Sequence, residues 1–415
     1  MTPQHGQQRG GLTRRRLLGL AGGGALGMAV GGSPLGTAVA SAAPPGVVGF
    51  HGAHQAGILT PQQGRIVLAA FDLDLTAAAE LAALLRTWTD AAARMSTGLP
   101  AVPEATNATL PPADPGEAVG LSASRLTITV GLGPGAFGTP LGLAARRPAP
   151  LAKLPALPGE RLDAARSGGH LCVQACADDP QVAFHAVHSL AHLGRGAVTM
   201  RWLQTGFLQV PGGAGSHATP RNLQGFRDGT NNLRAHETAA LRRHLWVGAE
   251  ERQAWLRGGT YMVVRRIRMH TEAWDRSPLA QQEGVIGRHK ASGAPLGRTR
   301  ERDPLDLGAR KPDGMPIIPF TSHVRLAAPA TNEGIRMLRR GYSFVDGADP
   351  ATGAVDAGLL FICFVRNPQQ FITVQRRLGT GDALNDFIEH RSSAVFAIPP
   401  GVRPGGFLAD GLFRA

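Results

Sequence analysis

An α+β fold in two halves is predicted by three observations. Strand-helix-strand order occurs twice before residue 210, a similar order recurs after Gly259, and 43% of the 415 residues are apolar, enough to build a core.

The first strand is GRIVLAAFDL (64–73), and the Ala/Leu-rich run TAAAELAALLRTWTDAAARM (76–95) is a helix with Thr76 as its N-cap. LTITVGLG (126–133) is a second strand, followed by a proline-rich stretch to about residue 160. HLCVQACA (170–177) is a strand, DDPQVAFHAVHSLAHLG (178–194) a helix capped by Asp178 or Asp179, and AVTMRWLQTGF (197–207) a strand. After Gly259, TYMVVRRIRM (260–269) is a strand, a helix-like segment follows, GLLFICFV (358–365) is a buried strand and DALNDFIEHRSS (382–393) a helix. Such units, with helices on one side of crossing strands, resemble the ferredoxin-like fold. The expected organisation is a first half over 43–210, a connecting segment over 211–258 and a second half over 259–415. The two halves share pattern and not residue identity.

Residues 13–18 read Thr-Arg-Arg-Arg-Leu-Leu, ahead of a glycine-rich apolar run and an Ala-x-Ala cleavage site ending at Ala40 or Ala42. Residues 1–42 thus resemble a twin-arginine signal peptide, which implies export to the periplasm or beyond. The run from Leu17 to Val30 is too short and too rich in glycine for a membrane span, which needs about 20 apolar residues. Twin-arginine export carries folded proteins, often around a cofactor loaded beforehand, so a buried prosthetic group is expected.

Formal charge is +13, of which Arg9, Arg14, Arg15 and Arg16 lie in the first 42 residues with no acid beside them. The remainder carries 39 basic against 30 acidic residues, or +9, dispersed rather than in blocks. With aromatics at only 5%, a base-stacking surface has little to build on, and nucleic acid is excluded as a partner. The three cysteines form no even framework. Cys172 and Cys176, four apart on a strand, stand roughly 13 Å from each other and are not expected to form a disulfide.

The segment NLQGFRDGTNN (222–232) is first of all a turn signal, since Asp228-Gly229 is followed by Thr-Asn-Asn. Its significance comes from motifs further along: TSHVRLAAP (321–329), MLRRGYSF (337–344) and GLLFICF (358–364), with FHGAHQAGILTPQQ (50–63) and IGRHKASGAPLG (286–297). Together these resemble the dye-decolorising haem peroxidases, in particular their exported subgroup associated with iron uptake, from about residue 50 to the C-terminus.

The resemblance implies haem b between two ferredoxin-like halves, a fold of the dimeric α+β barrel type. By motif position His323 would be the iron ligand. Asp382, in GDALNDF, would accept from the other ring nitrogen and strengthen the imidazole as an electron donor. Asp228 would shuttle a proton between the peroxide oxygens, which predicts an acidic activity optimum, because a free carboxyl titrates near 3.9. Arg339 would steady developing negative charge, although the adjacent Arg340 leaves a one-position ambiguity. Gly229 and Arg340 are further candidates for contact with the cofactor. Leu359 and Phe361, two apart on a strand, would wall the peroxide side and keep bulky substrates from the iron, so that large dyes give up electrons at a distance. One departure stands out: Ala327-Ala328 occupies a place where the family commonly has a polar residue before the proline.

Two other signals are set aside. Gly133-Pro-Gly135-Ala-Phe-Gly138 fits a dinucleotide fingerprint, but Pro134 opposes a helix there and no acidic residue follows at ribose-binding distance. His185, His188 and His192 share a helical stripe, which without carboxylates at matching offsets reads as a partly buried face rather than a metal site.

The expected activity is a peroxidase that reduces hydrogen peroxide at the expense of a reducing small molecule. Release of iron from haem with the porphyrin intact is the alternative, and a haem carrier without turnover is a third. A homo-oligomer is expected, with room for membrane iron-transport partners.

Overall fold

The computed structural model describes residues 46–103, 107–209, 219–350 and 352–414. The signal-like segment and the first residues of the connecting segment lie outside these.

Among the described residues nine strands carry the architecture: β1 (Arg65–Leu73), β2 (Thr127–Leu132), β3 (Leu171–Ala177), β4 (Val198–Phe207), β5 (Thr260–Met269), β6 (Leu338–Arg339), β7 (Tyr342–Ala348), β8 (Val355–Val365) and β9 (Ile388–Ile398). The helices are α1 (Ala78–Met95), α2 (Pro180–Leu193), α3 (Thr238–His244), α4 (Thr271–Asp275), α5 (Leu279–Ile286), α6 (His323–Ala327) and α7 (Gln369–Gly381). The strands of the first half lie side by side as β2-β3-β1-β4, and those of the second as β9-β5-β8-β7. Numbered within its own half, each group runs second, third, first, fourth from one edge or the other, with β6 as an extra strand on β8. Two single pairs, Leu132 with Ala397 and Phe207 with Ser343, join the groups into a closed antiparallel ring.

Alternation along each strand sends one set of side chains into the ring and the other outward. Ile66, Leu68, Cys172, Cys176, Met262, Val264, Leu360, Ile362 and Phe396 form the interior cluster. The cysteines are unpaired, as their spacing predicts. Outside the first half, α1 and α2 lay Leu81, Leu85, Trp88, Ala183, Ala186 and Leu190 on Phe71, Val130 and Val173. Trp88 is fully buried and its indole N–H donates to the Leu190 carbonyl at 2.9 Å, so the largest side chain there leaves no polar group unmatched.

Two expectations of secondary structure need correction. The N-cap of α1 is Ala77 and not Thr76; the Glu80 carboxylate, at the third helical position, accepts from the amides of Thr76 (3.0 Å) and Ala77 (2.9 Å), which is the glutamate's half of a capping box. The helix expected over 382–393 is a short 3-10 turn followed by strand β9, because residues 388–398 pair along the whole of β5 and tertiary pairing overrides weak local preference. The covering helix is instead α7, just before it. Asp179, by contrast, caps α2 through the amides of Gln181 (2.7 Å) and Val182 (3.1 Å), as one of the two predicted candidates.

Candidate active site

The outward face of the second half behaves differently from that of the first. Near one end Tyr261, Val263, Val365 and Ala397 join the apolar core. Towards the other end the same face opens into a cleft of about 230 Å³, between β5, β8 and β9 on one side and α6, α7 and the 222–231 loop on the other. Ile267, Met269, Leu359, Phe361, Val374 and Leu378 give it apolar walls.

His323 opens α6 and lines this cleft. Its Nδ1 lies 2.6 Å from Oδ2 of Asp382, a residue with a nearly fully buried side chain. A carboxylate can only accept, so Nδ1 carries the proton and Nε2 is the ring nitrogen left over. Asp382 follows α7 directly, and its other oxygen accepts from the Leu384 amide at 2.9 Å, fixing the carboxylate in place. Burial disfavours a charged His323, but the charge and hydrogen bond of Asp382 outweigh that and hold its pKa above the ordinary histidine value.

The 222–231 loop supplies the second pair. Gly225 and Gly229 adopt positive φ (+82° and +122°), conformations that favour glycine, so the turn that the residues announce is formed. The Asp228 amide donates to the Pro220 carbonyl at 2.8 Å, and its side chain accepts from Arg339 Nη1 at 2.7 Å. Arg339 is on β6, and Asn232 ties the loop to that strand: Nδ2 donates to the Arg339 carbonyl (2.7 Å) while Oδ1 accepts from the Arg339 amide (2.8 Å). Glu301 anchors the loop from outside, paired with Arg227 at 3.3 Å and accepting from Thr230 at 2.9 Å.

The structure thus brings Asp228, Gly229, His323, Arg339, Leu359, Phe361 and Asp382 to one cleft. Arg340 is not among them. Neighbours on a strand point to opposite faces, and the Arg340 guanidinium is buried against the Thr60 carbonyl and the Gln63 side chain. The one-position ambiguity is therefore resolved in favour of Arg339 as the cleft-lining arginine.

Several site residues were not anticipated. Asn232 and Glu301 hold the loop; the former lies inside the quoted motif and could have been named, whereas nothing local marks the latter. At the cleft floor Arg265, fully buried, pairs with Glu160 at 2.5 Å, and His390 lies beside Gln375 at 3.2 Å. Burial, reinforced by Arg265, pushes the His390 pKa down to about 3, so that imidazole is neutral. On the far side of the molecule, the histidine stripe of α2 does meet carboxylates: His185 Nδ1 is 2.7 Å from Glu117, which also pairs with His188, and Asp114 is 3.5 Å from His185. Among the described residues no group of three or more His, Cys, Asp and Glu is arranged to hold a metal ion.

An imidazole with one nitrogen committed to a buried carboxylate and the other unengaged, in an apolar-walled cleft that also holds an ion-paired arginine, is a donor set that fits haem.

Comparison with known proteins gives an independent result. Two family models match: Dyp-type peroxidase, N-terminal, over residues 55–208, and Dyp-type peroxidase, C-terminal, over residues 219–403. A deferrochelatase of Escherichia coli strain K12 is 38% identical over 406 residues, covering 94% of this chain and 94% of its own. Among solved structures, a DyP-type peroxidase from Streptomyces coelicolor is 41% identical, with a TM-score of 0.83 over 89% of this chain and 98% of its own. Ferric DtpA from Streptomyces lividans is 41% identical, with a TM-score of 0.82 over 88% and 97%.

Proposed function

The chain belongs to the Dyp-type peroxidase family and is a haem-dependent peroxidase, and from that premise we propose how its own residues divide the work. The observation that carries the proposal is the meeting of two pairs, His323 with Asp382 and Asp228 with Arg339, in one cleft.

His323 would hold the iron through Nε2, and Asp382, by accepting from Nδ1, gives the imidazole more imidazolate character. Haem b, when bound, would supply the two-electron redox capacity by which hydrogen peroxide is reduced at the expense of reducing substrates. Asp228 takes the proton from one peroxide oxygen and delivers it to the other, which leaves as water. Arg339 keeps its charge at every relevant pH and steadies the oxygen that becomes negative as the O–O bond breaks. Leu359 and Phe361 keep that wall dry and narrow, so large dyes are oxidised at a distance. The cofactor is placed not between the halves 43–210 and 259–415, as the resemblance implied, but against the second half and the 211–258 segment, because every residue lining the cleft falls between Asn222 and His390.

A second reading is favoured by the relatives' name: release of iron from haem with the porphyrin intact, in the same pocket. Residues 1–42 act as a twin-arginine signal for export to the periplasm or beyond, where a homo-oligomer serves iron acquisition beside membrane iron-transport partners. No helix among the described residues is long and apolar enough to cross a membrane.

The deciding measurement is the absorption spectrum of the haem-loaded mature protein before and after peroxide. A new spectral species together with dye bleaching at about pH 4 to 5 supports the reading; an unchanged spectrum leaves a haem carrier. Free protoporphyrin and released iron would favour the second reading.

A further inference from the structure

Arg227, Arg265, Arg288, Arg336 and Arg339 all line the cleft, and Arg265 is set apart by its depth. Its side chain is 0% exposed, against 25%, 23% and 30% for Arg227, Arg336 and Arg339, whose charges water can screen. Arg288 is buried too, but its Nη1 is taken by the carbonyls of Gly293 (2.7 Å) and Glu301 (2.9 Å). Arg265 Nη1 donates to Ser393 Oγ at 2.9 Å, Nη2 lies 2.5 Å from Glu160, and Nε meets no acceptor among the described residues. The neighbouring His390 imidazole is neutral and adds no charge to this floor.

Glu160 does not line the cleft; it stands behind Arg265 and is contributed by the first half. The segment that carries it runs along β9. The amides of Arg161, Asp163 and Gly168 donate to the carbonyls of His390 (3.0 Å), Arg391 (2.8 Å) and Ser393 (3.0 Å). Glu160 Oε2 accepts from the Leu157 amide at 3.0 Å, which fixes the carboxylate where it meets the guanidinium. A buried pair of this kind contributes little net stability, because both charges are stripped of water, and apolar side chains of similar volume serve a core as well. Beside a redox cofactor the pair does what apolar residues cannot, which is to set the local charge. With Glu160 ionised the guanidinium is largely cancelled. Without it a bare positive charge would favour the reduced, less positive iron.

We propose that Glu160 and Arg265 are a charge-balancing pair that sets the reduction potential of the bound haem, Glu160 holding that potential low enough for a ferric resting state. The inference rests on the placing of haem in this cleft proposed above. Both are positioning residues: they act on the iron through charge and touch neither peroxide nor the reducing substrate.

The test is a spectroelectrochemical titration of the ferric/ferrous couple in haem-loaded full chains. At the dielectric of protein sites, an added unit charge about 10 Å away changes a one-electron equilibrium by roughly tenfold, or about 59 mV. Glu160→Gln is expected to raise the midpoint by about that much. Arg265→Met keeps the volume and removes the nearer charge, so it should lower the midpoint whether or not the orphaned Glu160 takes up a proton. The double variant should fall between the two, and Arg265→Lys should stay nearer the parent than Arg265→Met. A merely structural role would alter the melting of the haem-free variants without moving the two midpoints in opposite directions. Single variants that shift the midpoint the same way, or by less than about twofold in the ferrous-to-ferric ratio, overturn the proposal. Should Glu160→Gln not fold, because a lone guanidinium is left buried, Arg265→Met decides: a midpoint at or above the parent's overturns the proposal. If these failures come with a histidine-bound haem spectrum in the parent, only the pair is wrong. A parent that takes up no haem overturns the cofactor site as well.

Discussion

The two halves of the ring carry the same strand order and use the same outward face in opposite ways. In the first half α1 and α2 close over it with Trp88, Leu81, Leu85 and Leu190. In the second, α7 covers only part of the face, while the long excursion between β5 and β7 that carries α6 holds His323 away from the sheet. Arg265 and His390 stand there, in the outward set where the first half places Val173 and Phe71. One half spends its face on stability and the other on a site, which is how a shared topology can hold different tasks.

That contrast can be tested from both sides. His323→Ala should have the largest effect: the Soret signature of a histidine-bound haem is lost and peroxidase activity falls by more than about a hundredfold, while the haem-free protein still folds, read by circular dichroism. A retained signature would mean that the second half's cleft is not the cofactor site. Asp228→Asn should lower kcat/KM for hydrogen peroxide by roughly 10² to 10⁴, and Arg339→Leu by roughly 10² to 10³, with the haem spectrum present in both. Steady-state kinetics at several peroxide concentrations decides this.

Trp88→Ala, in the first half, should do the reverse. It is expected to cost about 3–5 kcal/mol in stability, read by denaturant unfolding, with little change in kcat per loaded site. If turnover per haem collapsed instead, the two faces would not be separable. The smallest effect concerns Asp382→Asn in the haem-free protein. Because Asp382 raises the His323 pKa, the stabilisation it brings is complete below the unfolded histidine value near 6.5 and is lost as pH rises through the higher folded value. The gap in Tm between parent and variant should therefore shrink on going from mildly acid to alkaline pH. A gap that widened would contradict the pair.

Most strands were legible because their apolar runs are long and bounded by turn residues, and β1 to β5 and β8 lie where those runs are. The segment 382–393 misled for a physical reason: it begins with a genuine capping aspartate and its strand character depends on pairing with β5, far away in sequence. Likewise β6 is only two residues long, and both it and β7 are held by pairing with β8. For the site, motif order named His323, Asp228 and Asp382, and strand alternation then separates Arg339 from Arg340. Glu160 and Glu301 were out of reach, because a partner that arrives from a distant loop leaves no local pattern.

The Asn232 side chain meets the backbone of Arg339 at two points, one donated and one accepted. A single hydrogen bond fixes a distance; two opposed ones also fix an angle. The loop bearing Asp228 is thus pinned in orientation to the strand bearing Arg339, and whatever displaces one carries the other with it. Acid and cation are held as one unit, and under the roles proposed for them the geometry offered to peroxide would be set by one amide side chain standing behind both.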